Sequence, residues 1–308
     1  MSEWQIERMQ EQLFRESGPY YHLHTKPLEK GLIFQEEEER KVAINFIAII
    51  AKEVNVEILA LALMNNHFHF IIRGEKVDAL KFFRRLKKRL AYFLARKGRS
   101  RVLDSMEPMA TAITTLTQLR NEIAYVIRNP YVVMVDVNPL AYPWCSGYLY
   151  FNPLLPFLGS KPVNALTYRE KRAITRATDA IIDPVFQVRD GMIAMESFVN
   201  YRLVEQLFPH ARKFTWWVFK NVEAQVGVAM NLDEHPNLSD DELYVVTRRI
   251  CEDRFNKKGS NELTGQERKQ LAVTLKNDWY ASNAQAARLS GLDLDAIDDL
   301  FPMAARKK

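Results

Sequence analysis

The sequence predicts an α+β protein, an antiparallel sheet with helices laid on it, followed by an all-helical C-terminal region. Three observations carry this. Short alternating runs of aromatic and aliphatic residues lie between longer stretches of helical period in the first half. Two of these runs are joined by little more than Asn65-Asn66, which favours an antiparallel pair. Beyond residue 160 the period is helical almost throughout. At 308 residues two domains are expected, divided by the turn-rich stretch that begins Asn152-Pro153-Leu154-Leu155-Pro156. The first then spans residues 1–155 and the second 160–308.

Residues 2–16 read as a short polar helix. Tyr20-Tyr21-His22-Leu23-His24-Thr25 alternates and reads as a strand, and residues 26–31 turn. Residues 36–52 form a helix whose acidic first turn suits the helix dipole. Residues 54–63 and 67–73 make the paired strands. A basic helix covers 78–97, and a further helix covers 111–128, ending against Pro130. Ser239-Asp240-Asp241-Glu242 and Thr264-Gly265-Gln266-Glu267 match the capping box, in which a hydroxyl and a carboxylate satisfy free amides at a helix start. Residues 282–301 read as helix, Gly291 turn, helix, a helix-turn-helix-like end.

The formal charge of +5 and pI near 9.0 lean towards an anionic partner. Cys145 and Cys251 are the two cysteines, far apart and in no metal-type spacing, which points to a reducing cytoplasm. The start of the chain lacks the apolar stretch of a signal peptide. The longest mostly apolar run, residues 42–51, falls short of the roughly 20 residues that span a bilayer. No membrane association is expected.

His67 and His69 stand at i and i+2, so on a strand they share a face while Phe68 points the other way. Two adjacent imidazoles can hold a divalent cation with positions left open. The same spacing also describes ordinary hydrogen-bonded strand histidines, and His22 and His24 share it. Tyr125 and Asn129 are four apart on a helix and project from one face. A tyrosine can act as a covalent nucleophile, and an amide oxygen suits a hard cation such as Mg2+ or Mn2+. Spacing alone also fits a packed tyrosine and a helix-ending Asn before proline. Between Lys81 and Arg101 there are ten basic residues and no acidic one: Lys81, Arg84, Arg85, Lys87, Lys88, Arg89, Arg96, Lys97, Arg99 and Arg101. Phe82, Phe83, Leu86, Leu90, Phe93 and Leu94 recur among them at helical spacing, so one face packs and the other is cationic. A one-sign face of this kind suits phosphates.

The stretch Leu63-Met64-Asn65-Asn66-His67-Phe68-His69-Phe70-Ile71-Ile72 resembles the His-hydrophobe-His signature of the HUH single-tyrosine transposases of insertion-sequence type. Ala124-Tyr125-Val126-Ile127-Arg128-Asn129-Pro130, followed by Asn138-Pro139-Leu140-Ala141-Tyr142-Pro143-Trp144-Cys145-Ser146, is similar to the REP-associated tyrosine transposase branch. The resemblance covers about residues 18–150. Asn65 stands where that branch usually has proline, Cys145 where serine is common, and Val102-Leu103-Asp104-Ser105-Met106 where a Trp-containing loop is usual. The resemblance implies a ferredoxin-like antiparallel sheet with the histidines on a central strand and Tyr125 on a facing helix. It implies a divalent metal, Mg2+ or Mn2+, held by His67, His69 and Asn129. It further implies Tyr125 as nucleophile, a 5′-phosphotyrosine intermediate, and single-stranded or hairpin-containing DNA as substrate held by the basic helix. His22 and His24 are expected to be structural, near the active face. Whether one chain builds the site or a homodimer shares it stays open. The altered loop and the large extra region motivate an alternative, a host-retained DNA-binding protein that has lost cleavage. An RNA-binding module on the same sheet is a third option.

The C-terminal half is near neutral, with 22 basic and 21 acidic residues from 161 on. Its helix-turn-helix-like end would suit DNA, but Asp293, Asp295, Asp298 and Asp299 crowd the second helix. Contacts would then fall to the first helix and the tail Arg306-Lys307-Lys308, in an accessory DNA-binding role. Trp216 and Trp217 are expected in the core, and His210 and His235 in ordinary loops.

Overall fold

Alternation on two central strands sets the architecture. A computed structural model describes residues 2–28, 32–133, 138–177, 182–219 and 240–302, and residues 225, 228–229, 231–232 and 238. Helix α1 (Glu3–Ser17) leads into β1 (Tyr20–Thr25), α2 (Glu37–Val54), β2 (Glu57–Leu63), β3 (Phe68–Arg73), α3 (Lys76–Ala95), β4 (Pro108–Ile113) and α4 (Leu116–Val133). The sheet order is β2-β3-β1-β4, with antiparallel neighbours throughout. With α2 and α3 as the crossover helices this is the ferredoxin-like βαββαβ arrangement.

The two faces of the sheet are separate cores. Leu23, Ile58, Leu61, Phe68, Phe70 and Ile72 pack against α2 and α3, with Ile47, Phe82, Phe83 and Leu86 among the partners. Ile71, Leu59, Ala60 and Ala62 face the other way, against Leu119, Ile123 and Val126 of α4. Strands buried on both faces read as near-continuous apolar runs, as β2 does.

Two elements differ from the sequence reading. Residues 111–113, expected in a helix, belong to β4. Ala110 and Ala112 dilute the strand preference of Thr111 and Ile113, and pairing with β1, His22 opposite Thr111, decides the conformation. Helix α4 does not stop before Pro130 but runs through it to Val133. A proline forfeits one backbone hydrogen bond, and packing of α4 on the sheet outweighs that loss. His67 itself lies in the turn just before β3, closed by Met64 N–H donating to the His67 carbonyl at 3.1 Å.

The chain forms two units, residues 1–219 and 220–308, so the boundary expected at 155–160 falls inside the first. The reason is packing. Residues 161–193 form a small sheet, β5 (Lys161–Pro162), β6 (Gln187–Arg189) and β7 (Met192–Ile193), with α5 (Tyr168–Thr175) beside it. It is tied to α2 by Asn45, whose side chain accepts from Ile193 N–H at 2.7 Å and donates to the Gly191 carbonyl at 3.3 Å. Then α6 (Tyr201–Leu207) and α7 (Ala211–Phe219) complete the core under α4 through Val204, Leu207, Phe214 and Trp217. Buried Arg120 of α4 joins them to α1, donating to the Leu207 carbonyl at 2.8 Å, to Glu7 at 2.7 Å and to Gln10 at 2.7 Å. Trp217 is buried as expected and donates to Asn121 at 2.8 Å, whereas Trp216 is exposed under the Lys213 ammonium.

The second unit, among its described residues, comprises α8 (Asp240–Phe255), α9 (Gly265–Asn277), α10 (Asn283–Ser290) and α11 (Leu294–Leu300) around Leu243, Leu271, Leu275 and Ile297. The Thr264–Glu267 capping box is formed, and Gly291 ends α10 in the left-handed region, so the helix-turn-helix-like end is present. Ser239, His235 and the tail Arg306-Lys307-Lys308 lie outside the described residues. Among the described residues, no helix is long and apolar enough to cross a membrane.

The Tyr-Pro-Trp-Cys-Ser segment covers the outer edge of β2. Leu63 N–H donates to the Trp144 carbonyl at 2.9 Å, Ala62 bridges Cys145, and Ser146 Oγ accepts from Leu61 N–H at 3.0 Å. An otherwise open strand edge is thereby satisfied. Gly147 makes this possible, because a Cβ there would stand 2.6 Å from the Pro139 carbonyl oxygen and 3.0 Å from Ile127. Gly147→Ala is expected to destabilise the first unit by about 1–3 kcal/mol through overpacking, read as a lower denaturant midpoint at unchanged slope.

Candidate active site

Because β1 and β3 pair with His24 opposite His69, the side chains of His22, His24 and His69 fall on the α4 face of the sheet. The His67 ring reaches the same place from the turn, 4.8 Å from the His69 ring between centroids. Both histidine pairs of the sequence therefore belong to one cluster. His22 lies 5.3 Å from His24 and from His69, and His24 lies 6.2 Å from His69.

Helix α4 closes the cluster with one face. Glu122, Tyr125 and Asn129 are three and four residues apart, so they stack along it. The Tyr125 ring sits 5.7 Å from His69 and 6.2 Å from His22. The Asn129 amide nitrogen stands 3.2 Å from His69 Nε2, and Asn129 also hydrogen-bonds the His67 side chain. His22, His24, His69 and Glu122 are fully buried, whereas Tyr125 and His67 keep 8% and 7% of their surface and Asn129 is half-buried. The cluster thus opens to solvent where Tyr125, His67 and Asn129 meet. The four residues singled out in the sequence, Tyr125, His67, His69 and Asn129, are brought together.

Burial drives the electrostatics. His67 is pushed down to about 4 by desolvation of its charged form, which the Asn129 hydrogen bond only partly opposes. His69 lies well below its ordinary value, first through burial and then through repulsion from the other three imidazoles. Both rings are neutral near pH 7, the form in which imidazole binds a metal. His67 Nδ1 lies 2.8 Å from Asn66 Oδ1, so Nδ1 carries the proton and Nε2 a lone pair. Two neutral imidazoles and one amide are a donor set compatible with a divalent cation that keeps open positions. Among the described residues, no group of three or more His, Cys, Asp or Glu is arranged to hold a metal ion, so an amide ligand is needed to complete this set.

The basic helix lies elsewhere. α3 packs on the opposite face of the sheet, and half of the ten cations are engaged by acids that the sequence did not show to be near. Arg85 and Arg89 pair with Glu53, Lys87 with Glu107, Lys97 with Glu36 and Glu38, and Arg99 with buried Glu39. Lys81, Arg84, Lys88, Arg96 and Arg101 form no ion pair among the described residues. Arg101 also lines a cleft of about 690 Å³ with Lys26, Ser105 and Met109, at the end of β1 just past His24. The loop at 102–106 is anchored by Leu103 and Met106 in the core.

Sequence reasoning missed Glu122. Its signal was a carboxylate three residues before Tyr125, on the same helix face and directly before the mostly apolar run Ile123 to Ile127. Cys145, the other departure, is fully buried, and burial pushes its thiol up to about 12, so it is inert.

Residues 16–103 match the family described as IS200-like transposase. The match includes both histidine pairs and stops before Glu122, Tyr125 and Asn129. The chain is also similar to a solved REP-associated tyrosine transposase bound to a REP hairpin, at 15% identity over 43% of this chain and 78% of that one, with a TM-score of 0.36. No curated protein matches.

The buried histidines give a pH signature. A folded-state value of about 4 for His67, against an ordinary 6.5, means its contribution to stability is fully present above pH 6.5 and lost as pH falls towards 4. In metal-free protein the first unit should lose about 2–3 kcal/mol from this group between pH 7 and 4.5. Paired denaturant titrations at the two pH values check this, with His67→Gln expected to shrink the difference by that amount.

Proposed function

We propose that this protein is a transposase-type single-strand DNA endonuclease and strand transferase that acts on hairpin-containing DNA through a 5′-phosphotyrosine link. The observation that carries the reading is the convergence of Tyr125, His67, His69 and Asn129 at the one open side of a buried histidine cluster. In the reaction, Tyr125 Oη attacks a backbone phosphorus and the bond from phosphorus to the 3′-oxygen breaks. The tyrosine proton is lost and the leaving oxygen gains one, giving a 5′-phosphotyrosine and a free 3′-hydroxyl. A 3′-hydroxyl then attacks the tyrosyl ester and restores a phosphodiester. The ester conserves the bond energy, in keeping with a sequence that has no Gly-x-x-x-x-Gly-Lys phosphate loop.

His67, His69 and Asn129 are the residues that would hold Mg2+ or Mn2+. Such a cation supplies charge stabilisation at the attacked phosphate when bound. The histidine rings flanking Tyr125 fix its side chain for attack. Preference for a hairpin is supported by the Tyr142-Pro143-Trp144 resemblance. Two buried, unlinked cysteines suit a cytoplasmic setting.

Tyr125→Phe is expected to abolish covalent protein–DNA adducts on a single-stranded hairpin substrate with Mn2+, while binding persists. Adducts at the wild-type level would remove Tyr125 from the role. Hairpin binding by wild type with no metal-dependent nicking would favour the DNA-binding protein without cleavage. For phosphate contacts we propose the cations that have no acidic partner, Arg101 foremost because of its place in the cleft. Arg101→Ala should reduce the slope of log affinity against log salt by about 0.7 on single-stranded DNA, whereas Arg85→Ala should leave the slope unchanged.

A further inference from the structure

Behind His69, on the side away from solvent, runs a chain of hydrogen bonds that the proposed reaction does not use. Glu122 Oε2 lies 2.6 Å from His22 Nδ1, and His22 Nε2 lies 3.1 Å from His69 Nδ1. All three side chains are fully buried, and they come from α4, β1 and β3. The second carboxylate oxygen faces Gln118 Nε2 at 3.5 Å.

With Glu122 as a carboxylate and His22 carrying a single ring proton, the geometry leaves one assignment of protons. An ionised carboxylate only accepts, so His22 Nδ1 carries hydrogen and donates to Glu122. A neutral His22 then has a bare Nε2, which can only accept. His69 Nδ1 must therefore carry hydrogen and donate to it, which leaves the lone pair of His69 on Nε2. That atom faces Asn129 and lies beside His67 and Tyr125. The opposite tautomer of His69 would set bare nitrogen against bare nitrogen at 3.1 Å inside a buried site. Asn66 does the same for His67, so both rings present Nε2 to the opening.

We propose that Glu122 and His22 are positioning residues: a buried carboxylate–imidazole relay that locks the tautomer and orientation of His69, so that its Nε2 lone pair is held ready for a divalent cation. This rests on the metal-site reading of His67, His69 and Asn129 given above. It assigns β1 a part in the site through a residue that need touch neither metal nor DNA. Partners of this kind around ligating histidines commonly govern metal affinity.

The test uses the full-length chain with 15N-labelled histidine and Mn2+ as the probe. In wild type without metal, His22 and His69 should both show the Nδ1–H tautomer by NMR. An Nε2–H tautomer at His69 overturns the relay without any variant being made. His22→Leu should leave His69 without its acceptor, so that Nε2–H becomes populated, and should weaken Mn2+ binding by about 10- to 100-fold at an unchanged circular dichroism spectrum. Should that variant not fold, Glu122→Gln, which keeps the shape and removes the charge, should lower Mn2+ affinity by about tenfold. Mn2+ affinity equal to wild type in the folded variant, with His67→Ala binding lost, overturns the relay and leaves the metal site standing. Absence of Mn2+ binding by wild type itself overturns the metal-site reading.

Discussion

Four imidazoles lie on one face of a sheet that a helix covers, and this burial is the constraint on which the site depends. Burial holds His67 and His69 neutral, and the two nitrogens of each ring are then unlike, one donor and one acceptor. Every neighbour must suit that polarity. Glu122 at the far end of the cluster and Asn66 beside the turn are the acceptors that settle it. In the proposed relay the site is directional, with protons pointing inward and lone pairs outward, towards the open side where Tyr125 stands.

The other face of the sheet accounts for how the basic helix is neutralised. Phe68, Phe70 and Leu23 turn to α2 and α3, whose rims carry opposite charges that meet as ion pairs. A helix that looks uniformly cationic along the chain is thus partly neutralised across space. Glu39 illustrates the balance. Burial alone would raise its carboxyl, yet backbone hydrogen bonds and Arg99 hold it below its ordinary value. Long-range pairing of this sort leaves no mark in a local sequence window.

Much of the core domain was legible because its signals are local. Period-2 runs gave β1, β2 and β3, the Asn65-Asn66 turn gave their pairing, and the i, i+4 spacing placed Tyr125 and Asn129 on one helix face. What was not legible is decided by tertiary packing. β4 is held in the sheet by β1, because its alanines dilute the strand preference of Thr111 and Ile113. α4 tolerates Pro130 because both of its flanks are packed. The region after residue 160 looked like a second domain because Pro-rich turns precede it, but Arg120 and Asn45 bind it to the first. Glu122 was overlooked because its partner, His22, is a hundred residues away.

Helix α4 is wedged between the sheet and the layer made by α1, α6 and α7. Its tyrosine and amide therefore meet the histidines of their own chain. One polypeptide thus brings the tyrosine, the amide and the histidines of the constellation together. Helices α6 and α7 serve as the scaffold that holds α4 against the sheet.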